Sequence, residues 1–291
     1  MKRVVPAYVF GVYLGMIKFK RDCRFSQQCS RNLRRVECEK ISLMIRNTSW
    51  QKVGKWYGEI VGERGHFFHQ TIIIPRSLKL LNVKPESSIL DVACGSGVLA
   101  RHIPQQTQYL GVDLASGLIE KARKMDGNKK HKFVVGDVTD KIPGEDFDNA
   151  VMILALQNIK EPEKAIENVV NKLKSGGKFL IVINHPAFRI PRQSGWEVDK
   201  VNKLQYRRVS KYMNPIEIPV EMHPGKHDGQ FTWSYHHPLS DYSEYLFKSG
   251  FLIEKIEEWT SEKTSKGRAA NMENRAREEF PMFMAILAVK K

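Results

Sequence analysis

Asp91-Val92-Ala93-Cys94-Gly95-Ser96-Gly97 follows an apolar run, and 22 residues beyond Asp91 the next apolar run ends in Asp113. Glycines in such a turn let backbone amides approach a ligand closely at a helix N-terminus, and an acidic side chain at the end of a second strand can accept hydrogen bonds from ribose hydroxyls. The pair therefore predicts a nucleoside-containing cofactor. The loop alone does not say which one, because Gly95-Ser96-Gly97-Val98-Leu99-Ala100 also fits the G-x-G-x-x-G/A dinucleotide pattern.

The elements around these residues alternate strand-like runs with amphipathic helical stretches, the pattern of a parallel sheet with helices on both faces. The runs are 87–93, 108–114, 132–138, 147–156 and 177–185. Residues 116–124 put Leu118, Ile119 and Ala122 on one helical face, and 161–174 do the same with Ala165, Ile166, Val169 and Leu173, with Ser175-Gly176-Gly177 as a helix stop. A helix over 241–249 and strands over 251–259 and 283–291 complete seven strands. The expected architecture is α/β: a doubly wound, Rossmann-like, seven-stranded, mostly parallel sheet with a substrate cap inserted after the fifth strand.

The block from Ile89 to Val138, with ILDVACGSG, GVDLASGLIEKAR and FVVGDV, resembles the class I S-adenosylmethionine-dependent methyltransferases. It is most similar to their small-molecule branch, which includes the ubiquinone and menaquinone biosynthesis methyltransferases, and the likeness extends over roughly residues 50–291. The resemblance implies S-adenosylmethionine as cofactor. It places Asp91, Ala93, Gly95, Ser96 and Gly97 along the methionine part and Asp113 at the ribose. Leu114 would flank the adenine, Asp137 and Val138 would meet its amino edge, and Leu154 to Leu156 would close the methionine side. One departure is Ala93, where the family often has Gly. Two features speak against a dehydrogenase: Asp91 suits a cofactor with an ammonium and a sulfonium better than a doubly charged pyrophosphate, and no Tyr-x-x-x-Lys pair occurs.

Methyl transfer from a sulfonium is an in-line displacement, so the protein positions the acceptor and, for some acceptors, removes a proton. Acceptor recognition is expected in segments added at the carboxyl ends of the strands. One is an N-terminal lid carrying Tyr57, His66 and His69; the other is the cap, 185–237, too long for a plain crossover and rich in His, Trp, Tyr and Pro. His185, at a strand end, and His237 are the candidate general bases, because imidazole titrates near neutrality. Arg189 is a candidate for an acidic substrate group. Each has a plainer reading: His66 and His69 as packing residues at i, i+3, Arg189 in a salt bridge, His237 shaped by the following Pro238, and Arg207-Arg208 as a solvated edge. The spacing of the histidines supports no metal site. The Asn/Asp/Ser-Pro-Pro-aromatic stretch of nucleic-acid amino-methyltransferases is absent after the fourth strand, where Leu156-Gln157-Asn158-Ile159 stands.

The chain of 291 residues carries 47 Lys and Arg against 32 Asp and Glu, net +15. Residues 1–43 hold ten of those cations against three acids, net +7, and read as a basic N-terminal extension preceding a methyltransferase domain over 44–291. This extension keeps nucleic acid open as a partner. The apolar stretch 4–17 is too short to span a bilayer as a helix and contains Pro6, Gly11 and Gly15. Cys23, Cys29, Cys38 and Cys94 form no C-x-x-C pair, which argues for a reducing compartment and a cytoplasmic location. The expected activity is O- or C-methylation of a small molecule. An RNA- or protein-modifying methyltransferase and a non-catalytic cofactor-binding module are the alternatives.

Overall fold

The computed structural model describes Trp50, Gly62 and residues 65–221 and 231–291. The expected extension over 1–43, the domain start near residue 44, Tyr57 of the lid and residues 222–230 of the cap lie outside the described residues.

A single π-helical turn, His69–Ile73, runs into α1 (Ile74–Leu81), which Pro75 starts and Asn82 closes in the left-handed conformation. Then follow β1 (Ser88–Val92), β2 (Gln108–Asp113), α2 (Ser116–Met125), β3 (His131–Val135), β4 (Phe147–Ile153), α3 (Pro162–Val170) and β5 (Leu173–Asn184). The cap contributes β6 (Ser194–Asp199), β7 (Leu204–Val209), β8 (Ile216–Glu221) and β9 (Phe231–His236). The chain ends with α4 (Leu239–Lys248), β10 (Phe251–Trp259), α5 (Ala270–Glu279) and β11 (Phe283–Lys290).

Seven strands form the main sheet in the order β10-β11-β5-β4-β1-β2-β3. All run parallel except β11, which pairs antiparallel with both neighbours. Residue alternation divides the core between the two faces. Leu90, Phe179, Ile181, Ile183, Met284 and Ile286 pack with α3 and α4, whereas Ile89, Leu180, Val182, Ala285 and Leu287 pack with α1 and α2. Strands buried on both faces read as continuous apolar runs because neither face meets water. The seven-stranded Rossmann-like sheet is as the sequence implies.

Three local expectations are corrected. No α-helix follows the glycine loop: a single 3₁₀ turn, Leu99–His102, stands there, because Pro104 forces Ile103 into an extended conformation and cuts the segment short. The third helix ends at Val170 rather than 174, since Leu173 is drawn into β5 opposite Phe147, with a register shift before Asn149 meets Lys178. The fourth strand stops at Ile153, where Leu154 turns left-handed at φ +53.

The cap is built from two antiparallel hairpins, β6–β7 and β8–β9. Strand β9 packs against the 3₁₀ turn Leu156–Asn158 beyond β4, Lys160 pairs with Glu217 of β8 at 3.0 Å, and β7 packs against α5. The inserted segment thus sits over the carboxyl end of β4, beside the position where the strand order reverses between β1 and β4.

Candidate functional site

The glycine loop is shaped by four consecutive demands. Ala93 takes φ +60, Gly95 φ +56 and Gly97 φ +69; an L-residue in this region carries a cost of roughly 1–2 kcal/mol. Ala93 bears that strain, which a Gly at this position would not. A Cβ on Gly97 would stand 2.7 Å from Phe133 Cε1 and 3.2 Å from Ala122 Cβ, so the loop is pressed onto β3 and α2. A Cβ on Gly95 would meet nothing within 4 Å, so the bare backbone there faces open space. The fourth demand is a tie between strands: Asp113 Oδ2 accepts the Gly95 N–H at 2.9 Å, and its Oδ1 accepts the Ala115 N–H at 2.8 Å.

Each Asp113 oxygen keeps a second acceptor position after these bonds, as a ribose diol requires. Burial raises the Asp113 carboxyl above its ordinary range, and the two backbone donors pull it back. Asp91 is buried at the end of β1 and accepts a hydrogen bond from the Tyr109 hydroxyl at 2.6 Å. Burial lifts its pKa to about 7, opposed by that hydrogen bond and reinforced by the negative charge of Asp113. Two neighbouring carboxylates, each pushed towards its neutral form by burial, favour a ligand that brings positive charge. Ser96 Oγ is buried without a protein partner, so the residue offers its backbone to the loop, and Arg101 Nη1 donates to the Ser96 and Gly97 carbonyls at 2.8 and 2.9 Å.

The remaining cofactor candidates flank this loop. Leu114 is half-buried beyond Asp113. Asp137 Oδ1 accepts from the Thr139 amide and hydroxyl at 2.9 and 2.7 Å, closing a turn after β3, while Val138 packs into the core and its carbonyl accepts from Asn168. The Leu154 carbonyl accepts from Gln157 and Asn158, fixing the turn beyond β4.

The acceptor-side candidates separate. His185 is buried, and both ring nitrogens have partners: Nδ1 accepts the Ala187 and Phe188 amides at 3.2 and 3.3 Å, so Nε2 carries the proton and donates to Glu258 at 2.7 Å. Burial lowers its pKa, and Glu258 works in the opposite direction. His185 therefore anchors the start of the cap to β10, with no nitrogen left over for an acceptor's proton. His237 differs: Nδ1 lies 3.4 Å from Asp241 Oδ2 and 3.3 Å from the Tyr245 hydroxyl, and Nε2 has no partner among the described residues. His66 and His69 stack at 4.1 Å between ring centroids. His69 is buried with Nδ1 unpartnered, and burial together with the charges of His66 and His102 lowers its pKa to about 3. Arg189 is half-buried, and its guanidinium has no hydrogen bond or ion pair among the described residues. Arg207, read from sequence as a solvated edge, is instead half-buried and bonded to the Phe188 carbonyl and Ser194 Oγ. No one-dimensional signal marked it, because its partners are 13 and 19 residues away.

Residues 90–181 match the family described as "Methyltransferase domain". A demethylmenaquinone methyltransferase of Symbiobacterium thermophilum is 27% identical over 43% of this chain and 47% of its own length. A 2-phytyl-1,4-naphtoquinone methyltransferase of Trichormus variabilis is 27% identical over 57% of this chain and 81% of its own. The chain thus spans about half the length of the first of these relatives. A crystal structure of an S-adenosylmethionine-dependent methyltransferase from Mesorhizobium loti superposes with a TM-score of 0.58 at 23% identity, covering 74% of this chain and 96% of that one, which shows a shared fold. Residues 90–181 are thus similar to a methyltransferase domain, on a fold shared with S-adenosylmethionine-dependent methyltransferases.

Proposed function

We propose that the chain transfers a methyl group from S-adenosylmethionine to an oxygen or carbon of a small molecule, and the observation that carries the reading is the Asp113 carboxylate spanning Gly95 and Ala115. That bridge aligns the bare Gly95 backbone with an acceptor for ribose hydroxyls, and buried Asp91 supplies the negative charge that an ammonium or sulfonium would meet. Bound there, the cofactor supplies an already activated methyl group. Small-molecule transfer is supported by the quinone methyltransferase relatives and by a cap of two hairpins over the strand ends. Within it, His237 is the better-placed base: Asp241 faces Nδ1 and would hold the tautomer that leaves Nε2 a free lone pair.

Titration calorimetry of S-adenosylhomocysteine into the full chain, with NADH in parallel, tests the cofactor. Micromolar binding of the first, lost in Asp113→Ala, is expected; binding of NADH alone would refute the activity. Once an acceptor turns over, His237→Gln is expected to lower kcat by about 100-fold and flatten the acidic limb of the pH profile. An unchanged profile removes the base assignment.

A further inference from the structure

The cap carries two arginines, Arg189 and Arg207, that no carboxylate among the described residues neutralises. Arg189 lies five residues beyond the end of β5 at Asn184, and its amide bonds back to the His185 carbonyl at 2.9 Å, fixing the turn that presents it. Arg207, on β7, reaches to the same turn: its Nη2 donates to the Phe188 carbonyl and, at 2.9 Å, to Ser194 Oγ, while Ser194 Oγ itself bonds the Phe188 and Ile190 carbonyls. The guanidinium lies over the Trp196 ring at 4.8 Å, and Trp196 is in turn held edge-on by Phe280. Both cations are half-buried, and each is lowered from its ordinary range by burial, with the charge of Arg189 adding to the effect on Arg207.

Nearby acids are already engaged. Glu258 accepts the His185 Nε2–H, and Glu197 pairs with the outward-facing Arg208 at 3.1 Å. Arg207 Nε is buried without a partner, and the Arg189 guanidinium has no hydrogen bond or ion pair among the described residues. Two like charges kept close in a partly dry setting cost free energy unless an anion joins them. A fold that fixes one of them by three separate backbone and side-chain contacts, and leaves the other free beside it, has the make-up of a two-armed anion clamp.

We propose that Arg189 and Arg207 bind an oxyanion group, a carboxylate or a phosphate, carried by the methyl acceptor. The identification of this anion as part of an acceptor rests on the methyltransferase reading above; the anion site itself does not. The acceptor class is thereby narrowed to small acids or phosphate esters whose methylated atom lies away from the charged group, since the clamp sits at the end of β5 and the cofactor loop at the end of β1.

The test uses the full chain, saturated with S-adenosylhomocysteine, and three probes: benzoate, phenyl phosphate and uncharged benzamide. Trp196 fluorescence and calorimetry report binding. Benzoate or phenyl phosphate is expected to bind while benzamide does not, and the probe that binds identifies carboxylate or phosphate. Arg189→Gln and Arg207→Gln should each weaken binding by at least about tenfold, with Arg189→Lys and Arg207→Lys retaining part of it. The surface variant Arg208→Gln should bind as the parent does. Should Arg207→Gln fail to fold, Arg189→Gln, whose side chain holds nothing in place, gives the result alone. Equal behaviour of benzamide and the anions, or undiminished binding in Arg189→Gln, overturns the proposal. S-adenosylhomocysteine binding is read on the same samples: its failure refutes the methyltransferase reading, whereas an absent anion effect with intact cofactor binding refutes only the clamp.

Discussion

The Tyr109 hydroxyl donates to Asp91 Oδ2 at 2.6 Å, tying the second strand to the acid that ends the first. A fully buried carboxyl with one neutral donor is poised between charged and uncharged forms. The bond favours the ionised state, burial opposes it, and the balance lies at a pKa of about 7.

Because this value lies above the 3.8 of an ordinary Asp, the folded chain holds the proton more tightly than the unfolded one. Asp91 therefore costs the fold stability progressively as pH rises from about 4 to about 7, by up to on the order of 4 kcal/mol, and no further above that. Asp91→Asn should raise the melting temperature at pH 8 and weaken its pH dependence between 5 and 7. An ammonium beside Asp91 favours the ionised form, so S-adenosylhomocysteine, which keeps that ammonium though not the sulfonium, should bind more tightly as pH rises through about 7, and Tyr109→Phe should move that transition upward. Calorimetry at pH 6, 7 and 8 decides; a pH-independent affinity contradicts the electrostatic role.

Two glycines of one loop should respond differently to the same substitution. Gly97→Ala drives a methyl into Phe133 and Ala122 as well as holding an L-residue at φ +69, so a loss of about 3 kcal/mol in stability is expected by thermal or urea unfolding. Gly95→Ala meets no protein atom, and only the left-handed strain of about 1 kcal/mol remains. Its methyl group projects into open space where the proposed cofactor site lies, so affinity for S-adenosylhomocysteine should fall by about tenfold or more. A Gly95→Ala chain that binds normally would place the cofactor elsewhere.

His69 predicts acid lability. Its folded pKa of about 3 lies below the ordinary 6.5, so the unfolded chain takes up the proton first and stability drains away as pH falls from about 6.5 towards 3. The effect is bounded at about 5 kcal/mol. His69→Leu, which removes the titrating ring and the unpartnered Nδ1 while keeping an apolar side chain, should lower the acid-unfolding midpoint measured by circular dichroism. An unmoved midpoint would show that the ring is relieved by other means.

Much of the sheet was legible because a strand buried on both faces leaves an apolar run in sequence, as in Leu180 to Ile183, and because Leu118, Ile119 and Ala122 mark a helix by spacing alone. The hairpins of the cap were not legible. Trp196, Val198, Tyr206 and Trp233 are exposed aromatic or branched residues on strands with two partly wet faces, so the alternation that betrays a strand is blurred. α5, over Ala270–Glu279, also escaped notice, as it buries only Ala276 and carries no apolar stripe.

The sequence by itself determined the order of the seven sheet strands along the chain and marked the glycine loop as a candidate cofactor loop, because both are written in short local patterns: apolar runs, the glycines at 95 and 97 close after Asp91, and Asp113 at the following strand end. Tertiary structure decided which polar groups are free to act. His185 stands where a base is expected, yet Glu258, 73 residues away, and two local amides occupy its nitrogens, whereas Arg207, unremarkable on its strand, is brought against the turn carrying Arg189. A side chain's proton affinity and availability are set by burial and by partners the fold supplies across the chain, and no local pattern carries that information.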